Sequence, residues 1–179
     1  MAQEIVPVWG KVDPGLTAEL ARFWLENKAM VDEGKAAERA AQVVCVARLD
    51  GRVVGATTAY PRIVPMLRQP MYYLRMYLAQ DLRGKDMSWQ FLNDSFAVIE
   101  KQELGKDKPL CLGVILALDN QRLARHYNDA YWPRTKFTYA GISRDGKELR
   151  VRYFEDVRLP PPVQLKAKAA GAKAKAPAA

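Results

Sequence analysis

The sequence predicts an α/β (α+β) fold in which a mixed, mostly antiparallel central sheet of six to seven strands carries helices on both faces. The first observation is the order of the segments, which is strand, two helices, three strands, helix, strand, helix and two strands. The second is Asp50-Gly51 between two β-rich runs, since this dipeptide tolerates the positive φ of a type I′ hairpin turn. The third is the nearly unbroken apolar run 110–118, which is typical of a central strand covered on both faces.

The N-terminal segment predicts one strand and two helices. The short apolar run from Ile5 to Trp9 is the first strand, and a Pro-Gly break follows it. Thr17 is expected to cap the first helix, because its hydroxyl can accept from an unpaired backbone N–H. The apolar residues of this helix recur at the spacing of one buried face, at Leu16, Leu20, Phe23 and Trp24. The polar, alanine-rich stretch 32–42 predicts a second, more exposed helix.

Three strands come next, and a proline-rich segment precedes the third. Residues 43–49 and 52–60 form the hairpin around the Asp-Gly turn. Residues 61–70 contain Pro61, Pro65 and Pro70, which predicts a loop. Met71 to Ala79 is then a strand, because its side chains alternate between two faces. One face carries Leu74, Met76 and Leu78, and the other carries Tyr73, Arg75 and Tyr77.

The second half predicts two helices, the central strand and a closing hairpin. A long helix runs from about Met87 to Gln102, with an inward face formed by Trp89, Leu92, Phe96 and Ile99. After the strand 110–118, Asp119 or Asn120 caps a helix that Pro133 helps to end. One face of that helix is formed by Leu123, Ala124, Tyr127, Ala130 and Tyr131. Residues 135–143 and 148–154 form the last hairpin, whose exposed position is suited to pairing in a homodimer.

The chain divides into a domain over 1–158 and a tail over 159–179 that is first proline-containing and then rich in lysine and alanine. The net charge is +8, and the last fourteen residues carry four lysines and no acid. Such a segment buries too little apolar surface to offset its ordering entropy, so we expect it to be disordered. It is suited either to a weak, salt-sensitive contact with nucleic acid or another polyanion, or to solubilising the chain.

Composition argues against several functional classes. One histidine and two cysteines, with no Cys/His cluster, give little support to a histidine-based zinc site or a Ser-His-Asp triad, so no metal is expected. Both cysteines lie in apolar runs and are expected to be buried thiols. The N-terminus lacks the pattern of a signal peptide, and no run reaches the ~18 apolar residues of a membrane span. We therefore expect a cytoplasmic protein without membrane contact.

Two local motifs resemble those of the GNAT superfamily of N-acetyltransferases over residues 4–155. The family's phosphate-binding loop, R/Q-x-x-G-x-G/A between a strand and a helix, matches Arg83 to Ser88 in length and position, and departs from it at Asp86 and Ser88. The family's N-x-x-A-x-x-x-Y-x-x-x-G-F matches Asn120 and Tyr127, with other residues at the alanine and Gly-Phe positions. The physical basis of the loop is that unpaired amides at a helix N-terminus bind a diphosphate.

The resemblance implies an acyl-CoA-dependent N-acyltransferase that uses acetyl-CoA or another acyl-CoA and transfers the acyl group to an amine of a small molecule or protein. The thioester would lie between two splayed parallel strands, 73–79 and 110–118, with its carbonyl near the backbone amide of Leu78. Tyr127 would protonate the departing thiolate. The cofactor-binding residues that the resemblance implies are Leu78, Arg83, Gly84, Lys85, Met87, Ser88 and Asn120.

The sequence offers fewer candidates for the general base and for the residues that would bind the acceptor amine. Residues 52–80 contain no Asp or Glu, which leaves a water chain through Tyr73 or Tyr77 as the base, or no base at all. Arg75, between these tyrosines, either binds a carboxylate or phosphate of the acceptor or forms a salt bridge to Glu4 or a helix acid, because an unpaired charge in a central strand is costly. Tyr73 and Arg75 are therefore the candidate substrate-binding residues.

The sequence leaves three other functions open. The departures at Asp86 and Ser88 and the missing sheet carboxylate favour a degenerate interaction module with the fold but without turnover. The basic loop and the segment 61–70 would suit an acyl carrier protein as the donor. A nucleic-acid-associated function would depend on the lysine tail alone.

Overall fold

The computed structural model describes residues 3–30, 32–83, 86–119 and 125–163, with Glu33 described by its backbone only. Strands and helices follow one another in the order that the sequence predicts up to residue 118. They are β1 (Gln3–Pro7), α1 (Pro14–Glu26), α2 (Glu33–Ala40), β2 (Val43–Leu49), β3 (Arg52–Val64), β4 (Gln69–Leu78), α3 (Asp86–Leu104), β5 (Gly113–Leu118), β6 (Tyr131–Trp132), β7 (Phe137–Ile142) and β8 (Glu148–Tyr153). A single 3-10 turn over Gln80–Leu82 connects β4 to the segment before α3.

The strands form one sheet in the order β1-β2-β3-β4-β5-β8-β7-β6. Only β4 and β5 pair in parallel, and every other neighbouring pair is antiparallel. The predicted class, a mixed and mostly antiparallel sheet, is confirmed. The strand count is eight in the described residues rather than six to seven.

The helices cover both faces of the sheet. Helices α1 and α2 pack on one face, where Leu20, Phe23 and Trp24 are buried as the periodicity predicts. Helix α3 packs on the other face through Phe91, Phe96 and Ile99. The alternation predicted for β4 places its even-numbered side chains on the α3 side and its odd-numbered side chains on the α1 and α2 side.

Two local predictions for the first half need correction. Asp13, not Thr17, caps α1, because its Oδ1 accepts from the Leu16 N–H at 2.7 Å while the Thr17 hydroxyl donates to the Asp13 carbonyl. The loop predicted over residues 61–70 is confined to the turn 65–68, since β3 runs through Pro61 to Val64 and β4 begins at Gln69.

The prolines fit in these strands because of the side to which their nitrogens point. The Ala59 N–H donates to Gln42 on the β2 side, so Pro61, two residues on, also turns its nitrogen away from β4. There β2 has already ended, and no ladder hydrogen bond is lost. Pro70 likewise faces the β5 side, where its carbonyl accepts from the Leu112 N–H at 3.0 Å.

The helix predicted from residue 120 to Pro133 is wrong at its C-terminal end. Helical backbone stops at His126 among the described residues, and Tyr131 and Trp132 form β6, paired with Thr138 and Phe137 of β7. Tyr131 is thus exposed on a strand rather than on a helix face. The backbone of these two residues pairs with β7, and the local sequence pattern contains no information about that pairing.

The chain beyond β8 returns to the β3–β4 hairpin. Gln69 Nε2 donates to the Pro160 carbonyl at 2.9 Å, and the Arg68 backbone carbonyl accepts from the Val163 N–H at 2.8 Å. The domain boundary at residue 158 stays a prediction, and the lysine-rich residues 164–179 lie outside the described residues.

Among the helices that are described, none is long and apolar enough to cross a membrane.

Candidate functional site

A cleft opens in the sheet between β4 and β5. The two strands pair only at Tyr72 opposite Val114 and Tyr73 opposite Ile115, near the start of β5. Beyond that point β4 continues to Leu78, while β5 stays paired with β8 along its whole length, from Gly113 to Leu118. The splayed strands that the sequence predicts are therefore present, although the second begins at residue 113 rather than 110.

The base of the cleft depends on a close approach of three strands at Gly113. A Cβ atom at this position would lie 2.3 Å from the Arg152 carbonyl oxygen of β8, 2.7 Å from the Tyr153 Cα and 3.0 Å from Met71 Cε of β4. Only glycine fits at such distances. Gly113 thus brings β5 against β8 where β4 and β5 still pair, and β5 then follows β8 away from β4.

The backbone of β4 directs donors towards β5 beyond the two rungs at which the strands pair. The Ala79 N–H donates to Val54 on the β3 side at 2.8 Å. Because alternate residues of a strand point to opposite sides, the N–H groups of Leu78 and Met76 point towards β5. The Leu78 side chain is buried over Gly55, where an added Cβ would lie 2.5 Å from it. The contact of the Leu78 amide with a thioester carbonyl, which the resemblance implies, stays a prediction.

Arg83 folds back on the end of β4. Its Nε donates to the Leu78 carbonyl at 2.9 Å, and its guanidinium lies 5.0 Å from the centre of the Tyr77 ring. The Tyr77 hydroxyl in turn donates to the Asn27 carbonyl at 2.8 Å. Gly84 and Lys85, the next residues of the loop, lie outside the described residues. The role of Arg83 in phosphate binding stays a prediction.

Helix α3 begins at Asp86, whose carboxylate is bound by Arg134. The Arg134 Nη2 lies 2.7 Å from the Asp86 Oδ1, and its guanidinium lies 5.9 Å from the centre of the Trp89 ring. The partner of Asp86 is thus an arginine from the β6–β7 turn, distant in sequence from the loop. Met87 is buried, and Ser88 is half-buried. The negative charge that departs from the family pattern is thus balanced within the fold.

A pocket of about 310 Å³ opens beside this helix N-terminus. It is lined by Asp86, Trp89, Tyr127, Asp129, Trp132, Pro133 and Arg134. The pocket brings the predicted loop end and the predicted catalytic tyrosine together, although they are about forty residues apart in sequence. Asn120, the other residue of the second motif, lies outside the described residues.

Tyr127 is half-buried among aromatic rings. Its ring meets Trp89 edge to face at 4.9 Å and Trp132 at 6.1 Å between centres. His126 is exposed, and its ring lies edge to face with the Tyr127 ring at 4.7 Å between centres. This aromatic cluster holds the ring at the pocket wall. The acid role of Tyr127 stays a prediction.

Arg150 is a residue that sequence reasoning missed. It is 1% exposed on β8, and its two Nη atoms donate to the carbonyls of Asp129 at 2.7 Å and Tyr127 at 3.0 Å. Its Nε donates to Glu148 at 2.5 Å, and its guanidinium lies 4.0 Å from the centre of the Trp132 ring. Arg150 therefore fixes the segment that carries Tyr127. The sequence signal for this residue is weak, because an arginine between Leu149 and Val151 fits the ordinary alternation of a strand with one polar face.

The buried carboxylate of α3, Glu103, is not a free base. Glu103 is fully buried at the far end of the helix, where it accepts from the Tyr72 hydroxyl at 2.9 Å, from the N–H of Leu110 and of Cys111, and from Lys106. Burial alone would raise the pKa of Glu103, but these donors together lower it. Its role is to close the α3–β5 connection rather than to accept a substrate proton.

Arg75 is exposed on the face of the sheet opposite α3. Its Nη2 donates to the Tyr60 hydroxyl at 3.1 Å, and the alternative of a salt bridge to Glu4 is wrong, because Glu4 lies on β1 opposite Arg48. Tyr73 is half-buried beside it, and burial raises the pKa of the Tyr73 hydroxyl.

Over the ranges given above, no group of three His, Cys, Asp or Glu side chains could hold a metal ion.

Comparison with solved structures identifies the fold. Arabidopsis thaliana NAA60 in complex with acetyl-CoA is 15% identical, covers 86% of this chain and 100% of its own, and gives a TM-score of 0.57. The yncA protein of Salmonella typhimurium with its cofactor acetyl-CoA is 14% identical, with 89% and 98% covered and a TM-score of 0.61. A phosphinothricin acetyltransferase from Sinorhizobium meliloti in complex with AcCoA is 14% identical, with 91% and 96% covered and a TM-score of 0.59. The chain has the GNAT acetyltransferase fold, as the motifs predict.

The sequence comparisons are narrower. No protein-family model matches the chain. Transcription elongation factor SPT6 of Saccharomyces cerevisiae is 32% identical over 140 residues, which cover 71% of this chain and 8% of that protein. Because the chain spans so small a part of that relative, the match assigns neither a family nor an activity.

Proposed function

We propose that this protein is an acyl-CoA-dependent N-acyltransferase that uses acetyl-CoA and acylates an amine. The observation that carries the proposal is the divergence of β4 from β5, with the backbone N–H of Leu78 directed into the cleft between them. A backbone donor that has no strand partner is available to a ligand carbonyl. Its fixed position stabilises charge that develops on such an oxygen during acyl transfer.

The residues around α3 fit an acyl-CoA. The first N–H groups of a helix have no intrahelical partner, and this end of α3 opens on the 310 Å³ pocket. Asp86 would repel a diphosphate if its charge were free, but Arg134 binds it. In this proposal Arg83, Gly84, Lys85, Met87 and Ser88 hold the diphosphate, and Asn120 supports the donor site. Bound acyl-CoA supplies the thioester that the amine attacks.

This chain's own residues divide the remaining work. The Leu78 N–H donates to the carbonyl oxygen, and the Tyr127 hydroxyl gives its proton to the leaving sulfur. Strands β3 and β4 carry no carboxylate, so the amine arrives unprotonated or loses its proton to a water chain through Tyr73. The cytoplasm is the expected compartment.

Binding of the donor is the decisive test. Calorimetric titration with acetyl-CoA should give micromolar affinity for the native chain and weaker affinity for Arg83→Ala. Lys101→Ala, which removes an exposed charge at the far end of the same helix, is the matched control and should bind like the native chain. An Asp86→Gly variant completes the set.

The outcomes separate the alternatives. Native silence with recovery in Asp86→Gly would identify a degenerate interaction module that kept the fold and lost the cofactor. Silence in both folded proteins would overturn the coenzyme A proposal. In that case the same titration with an acylated carrier protein tests the other donor.

A further inference from the structure

Four side chains form one stack on the face of the β3–β4 hairpin opposite α3. The Arg75 guanidinium lies 5.0 Å from the centre of the Tyr60 ring, and the Tyr60 ring stacks on Tyr73 at 5.7 Å and an interplanar angle of 22°. The Arg62 guanidinium lies 5.6 Å from the centre of the Tyr73 ring on the other side. Two arginines thus enclose two stacked tyrosines.

The strand register produces this arrangement. Tyr60 lies directly opposite Tyr73, and Arg75 and Arg62 occupy the rungs on either side, opposite Thr58 and Met71. Directly opposed residues share a face, and diagonal neighbours remain within reach of long side chains. The stack is therefore anchored on a continuous antiparallel hairpin, and rigid positioning favours ligand binding.

Positive charge on this face is in excess. Arg39, in the last turn of α2, is half-buried, and burial first and the charge of Arg75 second lower the pKa of Arg39. Between them, Arg39, Arg62 and Arg75 have no carboxylate partner among the residues that the structure describes. Asp145 and Lys147 of the β7–β8 turn also face Tyr73, and Lys147 binds both Asp145 and Asp119.

The stack adjoins the cleft. Tyr73 is opposite Ile115 at the last rung where β4 and β5 pair, and Arg75 lies two residues further along the diverging part of β4. Helix α3, where the donor would bind, is on the other face of the sheet. A second substrate that reaches the cleft from the face opposite α3 would contact Arg62 and Arg75 first.

We propose that Arg75 and Arg39, with the hydroxyl of Tyr60, bind a carboxylate or phosphate group of the acceptor, which is therefore an acidic amine. Arg62, at the other end of the stack beside Tyr73, adds to the positive charge of the same face. The identification of the ligand as the acceptor rests on the proposed function. The anion site itself does not depend on that function. Guanidinium groups bind carboxylate and phosphate oxygens in bidentate geometry. A bound anion supplies the negative charge that these arginines lack among the described residues.

The first test measures anion binding without any donor. Inorganic phosphate and, separately, malonate are titrated into the native chain, and the ring resonances of the tyrosines are followed by NMR. The Tyr60 and Tyr73 signals should shift and saturate in at least one titration. The triple variant Arg39→Gln, Arg62→Gln, Arg75→Gln should show no saturation. Arg52→Gln, which removes an exposed arginine at the start of β3, is the matched control and should behave like the native chain.

The second test compares amines in pairs by the release of free thiol from acetyl-CoA. Phosphoethanolamine is set against ethanolamine, and glycine against glycinamide. At least one acidic member should show kcat/KM about tenfold above its neutral partner, the factor that about 1.4 kcal/mol represents. Arg75→Gln should remove this preference and leave acetyl-CoA binding unchanged.

The results distinguish the two proposals. If the native chain binds no acetyl-CoA but its phosphate or malonate titration saturates, the acyltransferase proposal is overturned and the anion site is supported. Saturation that is absent in the native chain, or equal in the triple variant, would overturn the anion site even if acyl transfer is observed. A preference carried by phosphate alone or by carboxylate alone identifies the acceptor's group.

Discussion

The Arg134 Nη2 lies 2.7 Å from the Asp86 Oδ1, so the β6–β7 turn is bound to the first residue of α3 at the mouth of the candidate donor pocket. Both side chains are largely exposed, and exposed pairs contribute little to stability. The relationship matters because of its position. It balances the carboxylate at the point where a diphosphate is expected.

Replacing Arg134 should weaken donor binding rather than the fold. In Arg134→Ala the Asp86 charge is left unbalanced beside the diphosphate, and we expect the dissociation constant for acetyl-CoA to rise by about tenfold. The double variant Asp86→Asn, Arg134→Ala should regain most of the native affinity, because it removes the repulsion as well. Calorimetry measures affinity, and thermal melting should show unchanged midpoints. Equal affinities in the native chain and the single variant would contradict this role.

Adding one methyl group at the base of the cleft should destabilise the sheet. In Gly113→Ala the Cβ would overlap the Arg152 carbonyl and the Tyr153 Cα, both of which are backbone and cannot turn aside. Overpacking of this kind costs about 1–3 kcal/mol. Urea denaturation measures the loss, and Gly105→Ala, whose Cβ has only ordinary contacts, is the matched control. A Gly113→Ala chain as stable as the control would show that β5 can move away from β8.

Truncating the buried arginine on β8 should release the segment that carries Tyr127. Arg150→Met leaves the carbonyls of Tyr127 and Asp129 and the Glu148 carboxylate without their donor, at a cost of about 3 kcal/mol. Hydrogen exchange should increase first in residues 125–132. Arg144→Met removes an exposed arginine from the neighbouring turn. It should change neither the free energy of unfolding nor the hydrogen exchange of residues 125–132. Unchanged exchange in Arg150→Met would mean that the aromatic contacts alone hold the segment.

The stability contributed by Glu103 should depend on pH. Because the pKa of Glu103 is lower in the folded chain than its ordinary value of 4.5, its carboxylate stabilises the fold above about pH 4.5. This contribution is lost as the pH falls through the folded pKa. Glu103→Gln should therefore cost about 2 kcal/mol near pH 7 and progressively less below about pH 4.5. Urea denaturation over pH 3–7 measures the difference.

An exposed glutamate provides the control for that series. Glu26→Gln, at the end of α1, should change stability little at any pH. If the difference between the native chain and Glu103→Gln were constant from pH 3 to pH 7, the hydrogen bonds of Glu103 would not depend on its charge. The pH series would then contradict the depressed pKa.

Local sequence signals determined the elements whose information is contained in neighbouring residues. Asp50 and Gly51 have φ values of 48° and 81°, and β2 and β3 meet across them in the predicted two-residue turn. The alternation in β4 assigned its two faces correctly, and the spacing in α1 identified its buried residues. These signals arise from backbone geometry and burial period, which are properties of short segments.

The tertiary structure decided whatever depends on partners distant in sequence. Pro61 and Pro70 remain in strands only because their nitrogens face positions where no ladder partner is needed. β6 exists because β7 pairs with it. The charge balance of Asp86 comes from Arg134, forty-eight residues away, and the position of Tyr127 depends on Arg150. A sequence motif indicates which groups a site needs, but the distances between them, and therefore their energies, are set by packing and register.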